Sequence, residues 1–350
     1  MPRQKGSDAA MPPAPNVEAS PASEWVVGGP RIVSLLPSIT EIVCEVGEGD
    51  RIVACTHECD APSSIVVRIE DGSLPVVTRS HIDPTASQGE IDKAVRESLV
   101  SKASLYALRE DVLAGIDPPP THVLTQALCD VCAVAYDQVK SKCARLLAPG
   151  LDEKQGYRLL SVEPETLDDV RESIGIVGRE IGAKDSAITD ALDRFDSERR
   201  RIKAATDEKL GGAPGPRVAM LEWLDPLFFG GHWVCEMVEG AGGSYGLCSP
   251  GKRSEVMTAD RLVEYDPDVI VVAPCGFGVK RAAEDTRAIM GKAAWWRELR
   301  AVREGRVFAA DGNQFFSRPS PRLVGGMAIL ADIMHGIPCE HKDAFMRVDM

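Results

Sequence analysis

The chain has 350 residues, 44% of them hydrophobic and 27% charged, enough for two domains of ordinary size with a core each. Its 53 acidic and 40 basic residues give a formal charge of −13. That balance excludes a general nucleic-acid binder, which needs a basic face to release counterions from phosphate, and disfavours attachment to anionic lipid.

Residues 1–29 are rich in Ala, Pro and Ser, show no helical or strand period, and are expected to form a disordered tail. They show no apolar core of a secretory signal, and the ten cysteines do not suggest a small secreted disulfide framework; the expected compartment is therefore reducing, the cytoplasm. No apolar run approaches the ~18–20 residues of a membrane span. Short β-branched runs follow at 31–36, 51–55, 75–78, 122–125 and 158–162, and again at 217–222, 269–273 and 306–310. Several are apolar throughout, as parallel strands buried on both faces require. Ser38-Ile-Thr-Glu41 and Ser87-Gln-Gly-Glu90 fit the capping box that opens a helix, and after Ser87 the positions Ile91, Ala94, Val95 and Leu99 share one helical face.

Between the two groups of strands, Leu167, Val170, Ile174, Val177 and Ile181 form an apolar stripe that Gly182 ends. A second helix is predicted from about 185 to 210, with Ile188, Leu192, Phe195 and Ile202 inward. At 1.5 Å per residue it is on the order of 35 Å long, enough to reach from one domain to another. Gly211-Gly-Ala-Pro-Gly-Pro216 then breaks the chain. The expected organisation is an α/β fold of two lobes with mostly parallel sheets joined by a long α-helix. Its parts are a tail over 1–29, an N-terminal lobe over 30–163, a helical connector over 164–210, a C-terminal lobe over 215–338 and a tail over 339–350.

Ligands of open α/β sheets bind beyond the carboxyl ends of the strands, and the chemically distinctive residues gather there. The first lobe offers Ser38, the segment Thr56-His-Glu-Cys-Asp60 with His57, the segment beginning at Arg79, and Gln126-Ala-Leu-Cys-Asp-Val-Cys132, with Tyr106 beside them. The second offers Glu222-Trp-Leu-Asp-Pro226 with Trp223, then Phe228, Trp233, Phe277, Phe315 and Arg318. Large aromatics on converging loops suit a broad, flat, partly apolar ligand, although each can equally pack a strand end against the next helix. Arg79 and Arg318 are candidates to grip carboxamide or phosphate groups, or to pair structurally with Asp60, Asp83 or Asp311.

From Arg31 to Gly336 the chain resembles the class III periplasmic binding proteins, the helical-backbone metal receptors, and among them the vitamin B12-binding proteins of ABC importers. The resemblance is carried by Arg31-Ile-Val-Ser-Leu-Leu-Pro-Ser38, Thr56-His-Glu-Cys-Asp60, Gln126-Ala-Leu-Cys-Asp-Val-Cys132, Glu222-Trp-Leu-Asp-Pro226, Gly231-His-Trp233, Asp266-Pro-Asp-Val-Ile270 and Phe316-Ser-Arg318. The Cys-Asp-Val-Cys and Glu-Trp-Leu-Asp-Pro segments look like a cytosolic-type branch of that group. The resemblance implies a rigid, two-lobed, monomeric binding protein, not an enzyme. It would hold cobalamin or a related corrinoid, or another metal chelate, between its lobes as a carrier, a scavenger or an importer-receptor relative. Ser38, His57, Arg79, Tyr106, Gln126, Trp223, Phe228, Trp233, Phe277, Phe315 and Arg318 are the candidate contacts, and His57 could approach the cobalt axially.

The competing reading is a metal- or thiol-dependent enzyme. Cys129 and Cys132 have the spacing of zinc and redox sites, and His57 with Cys59 lies on an adjacent strand exit, so four N/S ligands could meet around zinc. Free cysteines are also common as small buried side chains.

Overall fold

The computed structural model of the chain describes residues 29–101, 105–126, 136–147 and 156–349. The strands of the first lobe are β1 (Ile32–Ser34), β2 (Ile52–Cys55), β3 (Thr78–Ser80), β4 (Tyr106–Leu108), β5 (His122–Thr125) and β6 (Arg158–Ser161). Those of the second are β7 (Val218–Leu224), β8 (Leu227–Phe229), β9 (Glu255–Val256), β10 (Val269–Val272), β11 (Val307–Ala310) and β12 (Phe345–Arg347). The first sheet runs β2-β1-β5-β6, all parallel; β3 and β4 form a separate antiparallel pair. The second runs β12-β11-β10-β7-β8-β9, parallel at its centre and antiparallel at its edges. The apolar runs sit where both sheet faces are covered: every residue of Val269–Val272 is buried.

Between the sheets the chain forms two helices, Leu167–Glu180 and Asp185–Leu210. The stripe Leu167, Val170, Ile174, Val177, Ile181 is buried throughout, and helix Leu167–Glu180 packs against Pro37–Glu45 of the first lobe. The 26-residue helix Asp185–Leu210 packs on its predecessor and on Leu323–His335 of the second lobe, with Arg194 reaching Glu45 of the first. One core cluster therefore runs from Ile32 and Ile42 through Ile174 and Phe195 to Val271 and Leu330. The fold is the expected α/β class: two lobes, mostly parallel sheets, a long helix between them.

Local expectations are corrected in three places and met in a fourth. Helix Pro37–Glu45 begins two residues early, with Pro37 in its first turn and Leu36 at the cap, so Ser38 caps nothing and Glu41 instead binds Arg322 of the other lobe. The box at Ser87 does form: Glu90 accepts from the Ser87 backbone and hydroxyl. The run 75–78 touches β2 only through a Cys55–Val76 bridge before turning into β3. Residues 345–347, placed in a tail, pair with β11, because Val348 beyond them is buried and anchors the segment.

Candidate functional site

The carboxyl ends of β2 and the segment after β3 face the carboxyl ends of β7, β10 and β11, and the lobes meet there in two clusters. In the first, Asp60 accepts from Arg318 at 2.6 Å, from Arg322 at 3.1 Å and from the Asn313 amide at 2.9 Å. Arg318 also donates to the Glu58 carbonyl at 3.0 Å and to Asn313 Oδ1 at 2.8 Å, while Arg322 grips both oxygens of Glu41 at 2.9 and 2.5 Å. Fork-on-carboxylate pairing of this kind fixes orientation as well as charge. Asp311 caps the helix Gly312–Phe315 through Gln314; burial, more than its neighbour Asp60, raises its carboxyl above the usual range.

Beside this cluster His57 Nδ1 meets Thr78 Oγ1 at 2.7 Å and its ring lies 5.6 Å from that of Tyr106. His57 Nε2 is 3.2 Å from Glu58 Oε1, outside good hydrogen-bond alignment, and the imidazole holds the Glu58 carboxyl below its usual range. In the β3–β4 pair, Thr78, Ser80 and Tyr106 share one face, so Arg79 lies on the opposite one, exposed. Arg79 is thus not brought to His57.

The second cluster is aromatic. Trp223 pairs across the β7–β8 ladder with Phe228 and stands 5.2 Å from Phe277, over which the Arg281 guanidinium sits at 3.7 Å. From the first lobe Gln88 locks onto it: its carbonyl accepts from the Trp223 indole at 3.2 Å, its side-chain oxygen from Leu224 N at 2.7 Å, and its amide donates to Asp285 at 2.8 Å. Arg281 donates to the Pro84 and Ala86 carbonyls. Contact is so close that a Cβ on Gly89 would stand 2.7 Å from Asp225 Oδ2. An open cavity of about 360 Å³ beside it is lined by Gly89, Asp92, Lys93, Arg96, Glu97, Asp225 and Pro226.

Other expected contacts lie elsewhere. Trp233 is buried in the second lobe, its indole donating to the Phe316 carbonyl at 2.8 Å, and Phe315 is buried against His341. Both belong to the core rather than to the junction. Ser38 and Gln126 are buried in the first lobe. His57 and Cys59 also diverge: the Cys59 thiol lies 3.1 Å from Thr40 Oγ1 and hydrogen-bonds the Cys55 thiol, while His57 turns to Thr78. Cys129 and Cys132 lie outside the described residues; among the described ones no three His, Cys, Asp or Glu side chains are grouped to hold a metal such as zinc. Sequence reasoning missed Gln88, Arg281, Arg322 and the outward role of Glu41. Nothing local marks them, because their partners are far away in the chain.

The chain is thus a two-lobed α/β protein with a helical connector, the strand exits of its lobes meeting at one junction. Residues 151–313 match the family described as periplasmic binding protein. An uncharacterised ABC transporter substrate-binding lipoprotein of Bacillus subtilis, YvrC, is 24% identical over 318 residues, covering 87% of this chain and 80% of the relative. A periplasmic haem-binding protein of Pseudomonas aeruginosa has a similar structure (TM-score 0.60, 16% identity, 91% of this chain and 96% of that one). So does the periplasmic vitamin B12-binding protein BtuF of Vibrio cholerae (TM-score 0.55, 17% identity, 87% and 96%).

The matched family and these neighbours are substrate-binding proteins, not enzymes, in line with the expected binding role. They overturn the cytoplasmic placement: the similar proteins are periplasmic or lipoproteins, which points outside the cytoplasm. That placement rested on the composition of one terminal segment and on cysteine count, neither of which fixes a compartment.

Proposed function

We propose that the protein is the substrate-binding component of an ABC importer and captures a metal chelate of the corrinoid type between its lobes. The observation that carries this is the arrangement at the junction. Trp223 and Phe228 are half-buried apolar rings on the second lobe, backed by Phe277, which is buried against Trp223 and Arg281, with the His57–Tyr106 pair at a strand exit of the first. Aromatic faces suit a planar ring system, and polar groups at the rim orient it. His57 Nδ1 is engaged by Thr78 and Nε2 is buried 3.2 Å from Glu58 Oε1, so an approach of this imidazole to a bound cobalt requires the Glu58 side chain to move aside. Likeness to proteins named for vitamin B12, haem and ABC transport supports the same reading.

The test is retention of colour. Protein incubated with cobalamin, cobinamide or haemin, then desalted, keeps a visible spectrum for a corrinoid, with micromolar affinity or better, equivalent to about −8 kcal/mol. Loss of all colour from all three, with no calorimetric heat, overturns the proposal.

A further inference from the structure

Two of the described thiols meet at the foot of the turn that carries His57 and Asp60. Cys55 ends β2 and is wholly buried, pinned by backbone hydrogen bonds to Pro75 and Val77. Cys59 is 8% exposed and closes the turn, its N–H donating to the Thr56 carbonyl at 3.2 Å. The direction of the bonds between them follows from counting protons. Ser34 Oγ gives its proton to the Leu36 carbonyl at 3.1 Å, so it accepts from Thr40 Oγ1 at 2.8 Å. Thr40 then accepts from Cys59 at 3.1 Å, and Cys59 accepts from the Cys55 thiol. The Cys55 proton therefore lies between two adjacent sulfurs.

We propose that Cys55 and Cys59 form a site of thiol–disulfide exchange, and that their disulfide staples the turn from Thr56 to Asp60 at the lobe junction. The Cys59 sulfur, the one with exposure, attacks a small external disulfide and expels one thiol; Cys55 then attacks the Cys59 sulfur and expels the second. The pair gives up two electrons and two protons, and the external disulfide takes up both as two thiols. The buried surroundings suit this change. Oxidation removes two S–H donors and leaves no donor without an acceptor, since Thr40 and Ser34 keep theirs. The turn already draws the two ends together, so closing the bond needs side-chain rotation more than backbone travel. The similar proteins point outside the cytoplasm, where such bonds persist. The effect falls on the junction, because Asp60 pairs with Arg318 and Arg322 and the Glu58 carbonyl accepts from Arg318. A stiffer turn holds these contacts in register whatever the ligand of the cleft.

Trypsin releases both cysteines, and no other, on one peptide spanning residues 52–68. The folded full chain is incubated with hydroxyethyl disulfide, and remaining thiols are then alkylated in denaturant. The peptide is expected to be two hydrogens lighter and unlabelled, taking two labels only after reduction. Cys55→Ala is expected to trap a mercaptoethanol adduct on Cys59; should that variant fail to fold, the unaltered peptide decides alone. In the oxidised chain, hydrogen–deuterium exchange at the amides of 57–60 slows by about tenfold and recovers on reduction. Cys44, on helix Pro37–Glu45, lies within electrostatic reach of Cys59 and is the rival partner. Two labels on the unreduced peptide, a lasting adduct on Cys59 of the unaltered chain, or a bond from Cys59 to Cys44 overturns the exchange site. A closed Cys55–Cys59 bond with amide exchange unchanged overturns the staple.

Discussion

Trp233 is 4% exposed and its indole N–H meets the Phe316 carbonyl, whereas Trp223 is half-buried at the lobe junction against Phe277 and Gln88. Removing each should therefore be felt differently. Trp233→Phe is expected to lose about 1 kcal/mol of stability with its hydrogen bond, and Trp233→Ala about 3–5 kcal/mol, both read by chemical denaturation. Trp223→Ala is expected to weaken corrinoid binding about tenfold or more in calorimetry while moving the denaturation midpoint less than Trp233→Ala does. A reversed ranking would move the ligand site away from Trp223. Both tryptophans read alike in the sequence, as bulky rings at strand exits; what separates them is a carbonyl 83 positions away that only the folded chain supplies. Arg318 shows the same limit. Its structural alternative named Asp60 correctly, yet Arg322 and Glu41, which complete the cluster, carry no local mark. A titration is also legible only in the fold. Burial, then the neighbouring Arg158, lowers the His122 imidazole from 6.5 to about 4. It stays neutral in the folded chain while the unfolded chain takes a proton near 6.5, so acidification favours unfolding. About 3 kcal/mol is lost as pH falls from 6.5 to 4, and His122→Gln should flatten that limb in a pH series of denaturation curves.

Elements with a long repeating pattern were legible and short ones were not. The stripe from Leu167 to Ile181 and the helix after it stand where their periods put them, because five or more apolar positions on one face leave a single way to bury it. The strands β4, β8, β9 and β12 have two or three residues, too few to show alternation, and their pairing is decided by neighbours. Leu227–Phe229 carries no strand signal of its own in the sequence, yet it forms the ladder that sets Phe228 beside Trp223. The two capping-box motifs make a controlled comparison. At Ser87 nothing competes for Glu90 and the box closes; at Ser38 the preceding Pro37 starts the helix earlier and Arg322 claims the glutamate. Helix-on-helix packing in the connector depends on a missing side chain at Gly178, where a Cβ would lie 2.7 Å from Ile188 Cγ1 and 2.9 Å from its Cδ1. Gly178→Ala is expected to destabilise by about 1–3 kcal/mol, and adding Ile188→Val, which removes the Cδ1 methyl, should recover part of the loss in a double-mutant cycle. Simple additivity of the two would show that this crossing is not limited by that contact.

At the scale of the whole molecule, the proposed function requires a ligand to enter between lobes that touch at two clusters. The lobes are joined by a core that passes unbroken through both connector helices, and Asp185–Leu210 is fastened to each side: by the Arg194–Glu45 pair near the first lobe, and by packing of Thr206 and Leu210 near Gly242 of the second. A helix held along its length bends little, unlike a pair of extended strands that can swivel. The contacts able to yield are therefore the polar ones at the mouth, Asp60 with Arg318 and Arg322 and Gln88 with Trp223 and Asp285, each of which can open without disturbing the core. Ligand entry then requires local parting of these clusters and small side-chain movements, with the lobes keeping their relative orientation. Small-angle scattering with and without cobinamide is expected to show a radius of gyration unchanged to within about 1 Å, as in pre-organised complexes. Breaking the connector should remove that rigidity. A Phe195→Ala variant, which hollows the helix at a buried position and costs about 3–5 kcal/mol, is expected to widen the scattering difference if it still folds. A drop of several ångströms in the unaltered protein on binding would mean that the lobes close by hinge rotation, and that the long helix is a tether instead of a spine.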